Sequence, residues 1–280
     1  MKRKIAAILA GAIVATGLTT APASAASSGS AGGVSHPDVV LYYGQHNKTA
    51  NISYSVKNPT SAQIQTCFAE ESYPEYGEVY TGWGGLDWAM DIGYHDRYGN
   101  AVGGGAFLYS GEDARSGKAT STRWYDWEEF GKYTARATVE RSFEVYVDGD
   151  YGSDTLYCEL PDATYSDTFY FKRNTYLSAN ASPEPVRKGT YVTVKGTLRY
   201  WNPDFNYGDG AIRPLSSRTV KIYFDPAGTK GAVYKGSAKT SSKGVYSKKL
   251  KQSTSGTWIV KYAGSSTLVA KEAKDAVKVR

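Results

Sequence analysis

Between residues 39 and 173 the chain repeats one pattern: a short run in which apolar and polar positions alternate, then a turn residue. Runs at 39–43, 51–56, 64–68, 86–92, 132–139, 143–147, 156–158 and 168–171 follow it. In 132–139, Tyr133, Ala135, Ala137 and Val139 fall on one face and polar residues on the other. A period of two predicts half-buried strands, and many short strands predict an antiparallel sandwich. The pattern resumes at 175–182, 191–200, 219–224, 233–240, 244–250, 257–262 and 273–279, enough strands for a second sandwich. Helical periodicity is nearly absent. The segment 124–130, with Trp124, Trp127 and Phe130, is predicted as a short helical turn.

The first residues follow a different rule. Lys2, Arg3 and Lys4 precede an apolar run over 5–18, and Ala23-Ser24-Ala25 supplies small residues for cleavage. That is the layout of a secretory signal over 1–25. The apolar run is shorter than the roughly 20 residues a spanning helix needs. The mature protein is expected outside the cell, free or associated with the cell wall, beginning with a flexible segment over 26–37.

Charge splits the remaining chain. Residues 26–175 hold 11 Lys+Arg and 21 Asp+Glu, a net of −10, whereas residues 176–280 hold 19 and 6, a net of +13. The overall value of +6 conceals the split. Two units with unlike surfaces are implied, and the two surfaces could face each other or separate partners. Cys67 and Cys158 both lie in the acidic half. An even pair in an exported protein predicts one disulfide, closing a loop of about 90 residues.

Candidate chemistry is sparse. Trp83, Trp88, Trp124 and Trp127 stand among acids and glycines. They could stack on a saccharide or fill a core. Glu70, Glu71, Glu75 and Glu78 cluster, as do Glu128 and Glu129. Paired carboxylates serve glycoside hydrolysis, but a solvated acidic face is the simpler account. His36, His46 and His95 lack metal-ligand spacing, and no nucleophile motif occurs. Asp148 to Asp154 reads as a hairpin turn more than a cation loop. In the basic half, Asn202, Asp204, Asn206 and Asp209 have a spacing suggestive of calcium, without the closing bidentate Glu. No other cofactor is expected. Lys221, Lys235, Lys248, Lys251 and Lys261 alternate along strands, suited to an anionic polymer or to solubility.

Pro183, Pro185 and Gly189, followed by Val192-Thr193-Val194-Lys195-Gly196, open a recognisable stretch. Residues 220–224, 239–244, 256–264 and 277–280 continue it in order. Together they resemble an Ig-like module common in secreted actinomycete proteins. The resemblance covers the basic half and implies a fold, not an activity. The expected fold class is therefore all-β: two consecutive antiparallel β-sandwich (Ig-like) domains, 38–173 and 176–280, after a cleaved signal peptide. The expected function is a non-enzymatic binding or structural protein at the cell envelope, engaging wall glycan or anionic polymer. The alternatives are a carbohydrate-active enzyme using carboxylates of the acidic half, and an extracellular protein-binding or inhibitor module. Neither nucleic acid nor a membrane span is expected.

Overall fold

The computed structural model describes residues 32–103, 105–111, 114–205, 209–228 and 231–280; the expected signal segment lies outside them. The chain forms two antiparallel sandwiches in succession. In the first, β1 (Gly33–Ser35), β2 (Val39–Leu41), β3 (Asn47–Lys48) and β4 (Asn51–Ser55) precede helix α1 (Ser61–Glu71). Strands β5 (Val79–His95), β6 (Ala106–Tyr109), β7 (Ser116–Thr120), β8 (Trp124–Tyr125), β9 (Gly131–Gly149) and β10 (Gly152–Arg173) complete it. The second contains β11 (Thr175–Leu177), β12 (Asn180–Ser182), β13 (Tyr191–Asn202), β14 (Ala211–Pro214) and β15 (Thr219–Pro226). It ends with β16 (Val233–Lys239), β17 (Val245–Lys251), β18 (Gly256–Tyr262) and β19 (Lys271–Val277).

Both sandwiches share one wiring. One sheet is β1-β4-β7 in the first and β12-β13-β17 in the second. The facing sheet is β6-β5-β9-β10 in the first and β16-β15-β18-β19 in the second. Two strands in a row pair, and the chain then crosses between sheets, which is the Greek-key order of Ig-like domains. In the first, β2 adds to β10 in parallel; in the second, a parallel bridge joins Val186 to Val279 at the equivalent edge. The acidic half is thus Ig-like in topology as well. Gly33–Ser35, expected within a flexible start, is instead its first strand, paired with β4.

Two expectations fail locally. The run 64–68 is not a strand but lies inside α1. Thr60 caps that helix reciprocally with Gln63, whose backbone N–H bonds the Thr60 hydroxyl while the Gln63 side chain accepts from the Thr60 N–H. This capping box, just after Pro59, outweighs five residues of apparent alternation. Ile64 and Cys67 then share the buried helical face. The segment 124–130 is not helical: Trp124 and Tyr125 form β8, paired with β3, and a turn follows.

Strands β5, β9 and β10 run 17, 19 and 22 residues, well beyond the ordinary strand. On β9 one parity of residues stays inward throughout, from Tyr133 and Val139 to Phe143 and Val147. Its neighbours keep pace through bulges at one level: Leu160/Ala163 on β10 and Gly84/Asp87 on β5. Each bulge flips the parity, so Leu156, Cys158 and Leu160 face the same side as Phe169 and Phe171. The long strands therefore carry two cores. One, around Met90, Ile92, Val139 and Phe169, fills the sandwich. The other, Phe143, Val145, Val147, Leu156 and Leu160, lies beyond it and is roofed by α1.

No linker separates the sandwiches. Arg173 N–H donates to the Thr267 carbonyl at 3.0 Å, Val269 N–H to the Arg173 carbonyl at 3.1 Å, and Asn174 N–H to the Leu41 carbonyl at 2.9 Å. Trp201, on β13 of the second sandwich, is buried in the core of the first, and its indole N–H donates to the Gln45 carbonyl at 2.9 Å. Gly210, at φ +72°, makes room for this ring: a Cβ there would stand 2.2 Å from it. The Arg173 guanidinium sits 4.7 Å from the Phe130 ring and 5.0 Å from the Tyr200 ring, one from each sandwich. Aromatic packing and backbone bonds make this junction. The ion pairs Lys172–Asp38, Arg97–Glu129 and Lys261–Glu272 each stay within one sandwich.

His36 is a buried titratable group beside the first core, 4% exposed and stacked on Phe169 with ring centroids 3.7 Å apart. Burial lowers its pKa to about 4, against the opposing pull of the Pro37 carbonyl and of Asp167 and Asp38. The unfolded chain binds the proton near the ordinary histidine value of about 6.5. Between those two values the unfolded state alone gains a proton, so stability falls as pH falls. The expected loss is about 3 kcal/mol across that window, with no further contribution below it. Urea unfolding at stepped pH should show this slope in the native protein, and His36→Gln should flatten it.

Candidate functional site

The part of the first sandwich that projects past its core forms an arm. It consists of α1 with the following 3-10 turn (Pro74–Tyr76), the start of β5, the end of β9 and the start of β10. Cys67 on α1 is bonded to Cys158 on β10, with Cα atoms 6.0 Å apart, so the helix is clamped covalently to the sheet. This is the disulfide expected from compartment and parity. Strands β9 and β10 turn over in two residues, Asp150 and Tyr151, between paired Gly149 and Gly152. The 3-10 turn docks on that hairpin: Asp150 N–H donates to the Tyr76 carbonyl at 2.8 Å. The Glu78 carboxylate accepts from the Tyr73 N–H at 2.7 Å and closes the turn.

The docking assembles a tyrosine cluster at the tip. Tyr73 and Tyr76 rings lie 5.8 Å apart, and Tyr76 meets Tyr151 edge-on at 5.4 Å. All three are exposed, Tyr151 by 88%, and Val79, Tyr80 and Tyr157 on the flanking strands are exposed too. Exposed aromatic side chains gathered in one place mark an interaction surface more than scattered ones do.

The charge of the acidic half resides here. Residues 61–88 and 140–162 contain 12 Asp+Glu and one Lys+Arg, Arg141, a net of −11, against −10 for the whole of 26–175. The remainder of that half is therefore close to neutral. Arg141 spends its guanidinium on backbone, donating to the Lys57 carbonyl at 3.2 Å and the Pro161 carbonyl at 3.4 Å. Among the described residues no arm carboxylate forms an ion pair.

Of the four candidate tryptophans of the acidic half, Trp88 and Trp124 are buried in the sandwich core, 4% and 3% exposed, and cannot stack on a ligand. Trp124 is ringed by Tyr94, Tyr133, Phe169 and Phe171. Trp83 packs edge-on against Phe143 at the core of the arm. Trp127 alone stands out, 73% exposed and stacked on Tyr125 at 4.0 Å, away from the others. No saccharide strip of tryptophans forms. Glu128 caps the Tyr125 N–H at 2.8 Å, and Glu129 pairs with Arg97 at 2.7 Å. A second aromatic pair, Phe107 and Tyr109 on β6, borders shallow polar grooves of 440 and 560 Å³ on the outer face of β5, β9 and β10.

The loop read as a calcium candidate is engaged otherwise. The Asn202 side-chain oxygen accepts from the Arg173 guanidinium at 3.3 Å, which places a cation where a metal was considered. The Asp204 charge acts on the same guanidinium, Asp209 has an interaction of its own, and Asn206 lies outside the described residues. Among the described residues no group of acids, histidines and cysteines could hold a metal ion.

The five lysines do not share one face. Lys248 points inward with Tyr246 and Leu250, and its ammonium donates to the Ser237 carbonyl at 3.1 Å, closing the sandwich edge. Lys221 and Lys261 are cross-strand neighbours on the β15–β18 face, where Glu272 binds Lys261 at 2.8 Å. Lys235 sits beside the bulge of β16. Lys251 lies on the opposite sheet. There β13 and β17 expose Lys195, Arg199, Lys249 and Lys251, and the solvent-facing residues of β12, β13 and β17 include no carboxylate. Tyr191 lies on this face, with the Lys249 ammonium 5.2 Å over its ring. Lys195 and Arg199 were not singled out from sequence; strand parity would have found them.

No family model matches the chain, and no curated protein is detectably similar to it. Among solved structures it is similar to the D0-D1 domain of intimin, at 12% identity and a TM-score of 0.26, over 88% of this chain and 97% of that one. A putative membrane anchored protein from Corynebacterium diphtheriae gives 13% identity and a TM-score of 0.26, over 89% of this chain and 53% of that one. The teleost fish polymeric Ig receptor ectodomain gives 10% and 0.20, over 88% and 98%. At such scores the likeness carries no argument about function. The class is defined by the strand wiring itself: an all-β protein of two Ig-like sandwiches, the first extended by a disulfide-clamped arm. Among the described residues no helix is long and apolar enough to cross a membrane.

Proposed function

We propose that this is an extracellular binding module whose arm is the recognition element, and that the arm takes a positively charged protein surface. The observation that carries the reading is the coincidence, on one rigid projection, of a net charge of −11 with the exposed Tyr73, Tyr76 and Tyr151. Tyrosine offers large contact area at small entropic cost, and uncompensated carboxylates steer an oppositely charged partner. The test uses immobilised full-length protein and poly-L-lysine. Poly-L-lysine should be retained at low salt and released as the screening length shrinks. Combining Glu75→Gln, Glu78→Gln and Asp150→Asn with Tyr76→Ser and Tyr151→Ser should weaken retention about tenfold or more. Unchanged retention would sink the reading.

A second reading has its own support. The carboxylate-free face bearing Lys195, Arg199, Lys249 and Lys251 suits an anionic cell-wall polymer, which would hold the protein at the envelope. Full-length protein should then co-sediment with purified walls and come off with salt, and Lys195→Gln with Lys249→Gln and Lys251→Gln should abolish the effect.

A further inference from the structure

We infer that the cationic surface taken by the arm is the basic sheet face of a second copy of this chain, so that molecules associate head to tail. The inference rests on the reading of the arm just given and names its partner. Opposite charges of similar size lie on one polypeptide, −11 on the arm and +13 over 176–280. They cannot neutralise each other within a molecule. Gly131, at the junction end of β9, pairs with Phe171, while Gly149 is at the tip. Nineteen residues of strand separate them, about 60 Å at the usual rise. That is several times the screening length of about 8–10 Å at ordinary ionic strength. The junction meanwhile is closed by Trp201, Arg173 and backbone bonds.

The complement is available in a neighbour. Lys195, Arg199, Lys249 and Lys251 stand on a sheet face without a carboxylate, beside Tyr191, which is 55% exposed. Carboxylates of the tip facing these cations, with Tyr151 and Tyr191 in the centre of the contact, would combine steering with desolvated aromatic area. The contact joins unlike surfaces, so each bound molecule still offers a free arm and a free basic face. Growth is then limited by concentration and salt, not by symmetry.

Sedimentation velocity on the full-length protein tests this. At low salt the average mass should rise with concentration, and it should fall to one chain near 1 M salt, where the screening length is about 3 Å. The arm variant (Glu75→Gln, Glu78→Gln, Asp150→Asn, Tyr76→Ser, Tyr151→Ser) and the face variant (Lys195→Gln, Lys249→Gln, Lys251→Gln) should each be monomeric, with native circular dichroism. Mixed together they should form dimers that grow no further, because one retains a good face and the other a good arm. A monomeric native protein at low salt, a face variant that still associates, or a mixture that stays monomeric would each overturn the inference. The reading of the arm is scored separately: if poly-L-lysine is retained through the arm while the native protein stays monomeric, self-association falls and that reading stands. If neither occurs, both fall.

Discussion

Trp201→Ala is expected to cost about 3–5 kcal/mol and to uncouple the two sandwiches. The side chain belongs by sequence to β13 of the second sandwich and by packing to the core of the first, at 1% exposure. Truncation removes the ring from among Tyr43, His46 and the Gln45 carbonyl, and leaves that carbonyl without its indole partner. The cavity cost and the lost hydrogen bond then fall on the contact that makes one body of two folds. The native protein should unfold in a single transition by calorimetry. The variant should show two, with the first sandwich melting earlier, since its core is the one opened. Trp258→Ala is the control: Trp258 is buried wholly within the second core, with its indole N–H on the Gln252 side chain at 2.7 Å. It should destabilise the second sandwich without opening the core of the first. A Trp201→Ala protein that still melts in one transition at the native temperature would show that the indole does not couple them.

The second sandwich was almost wholly legible. Runs at 191–200, 219–224, 244–250 and 257–262 appear as β13, β15, β17 and β18 within a few residues, because burial alternates along them, Ile259 of β18 excepted. The same parity misled where it was ignored. Trp88 has Asp87 as its neighbour, but adjacent strand residues face opposite ways, so an exposed acid beside a tryptophan says nothing for exposure of the ring. Lys248 falls in step with Tyr246 and Leu250 and so had to turn inward.

The arm was not legible, for two physical reasons. Its strands looked broken at Arg141–Ser142 and Pro161–Asp162, where the apolar alternation lapses at the level of the bulges. A parity change reads as the end of one strand and the start of another, although the backbone ladder continues through it. The charge is likewise split between residues 61–88 and 140–162, segments brought together only by strand pairing and the disulfide. The sequence shows an acidic half; pairing is what confines nearly all of that acidity to one projection. The capping box Thr60-Ser61-Ala62-Gln63 was the available signal for α1, and it outranks the short alternation at 64–68.

Removing the disulfide should strip the arm of its order while sparing the sandwich. The bond closes a loop of 91 residues, for which the chain-entropy account gives about 4–5 kcal/mol. Much of that falls on the arm. Its small core has the three-stranded sheet on one side and α1 as its roof, and Ile64, Cys67 and Phe68 are what α1 contributes to it. An 11-residue helix has little stability of its own in water, so without the clamp it depends on those few contacts. In a Cys67→Ala/Cys158→Ala protein, amide exchange in α1, the 3-10 turn and the β9–β10 tip should accelerate by orders of magnitude. The amides of β13, β15 and β18 should keep native protection, because the second core does not touch the arm. Poly-L-lysine retention should drop with the loss of order even though every carboxylate and tyrosine remains, since the cluster exists only while the 3-10 turn rests on the hairpin. Retention at the native level with a disordered helix would mean that charge alone does the binding and that the tyrosine cluster plays no part in it.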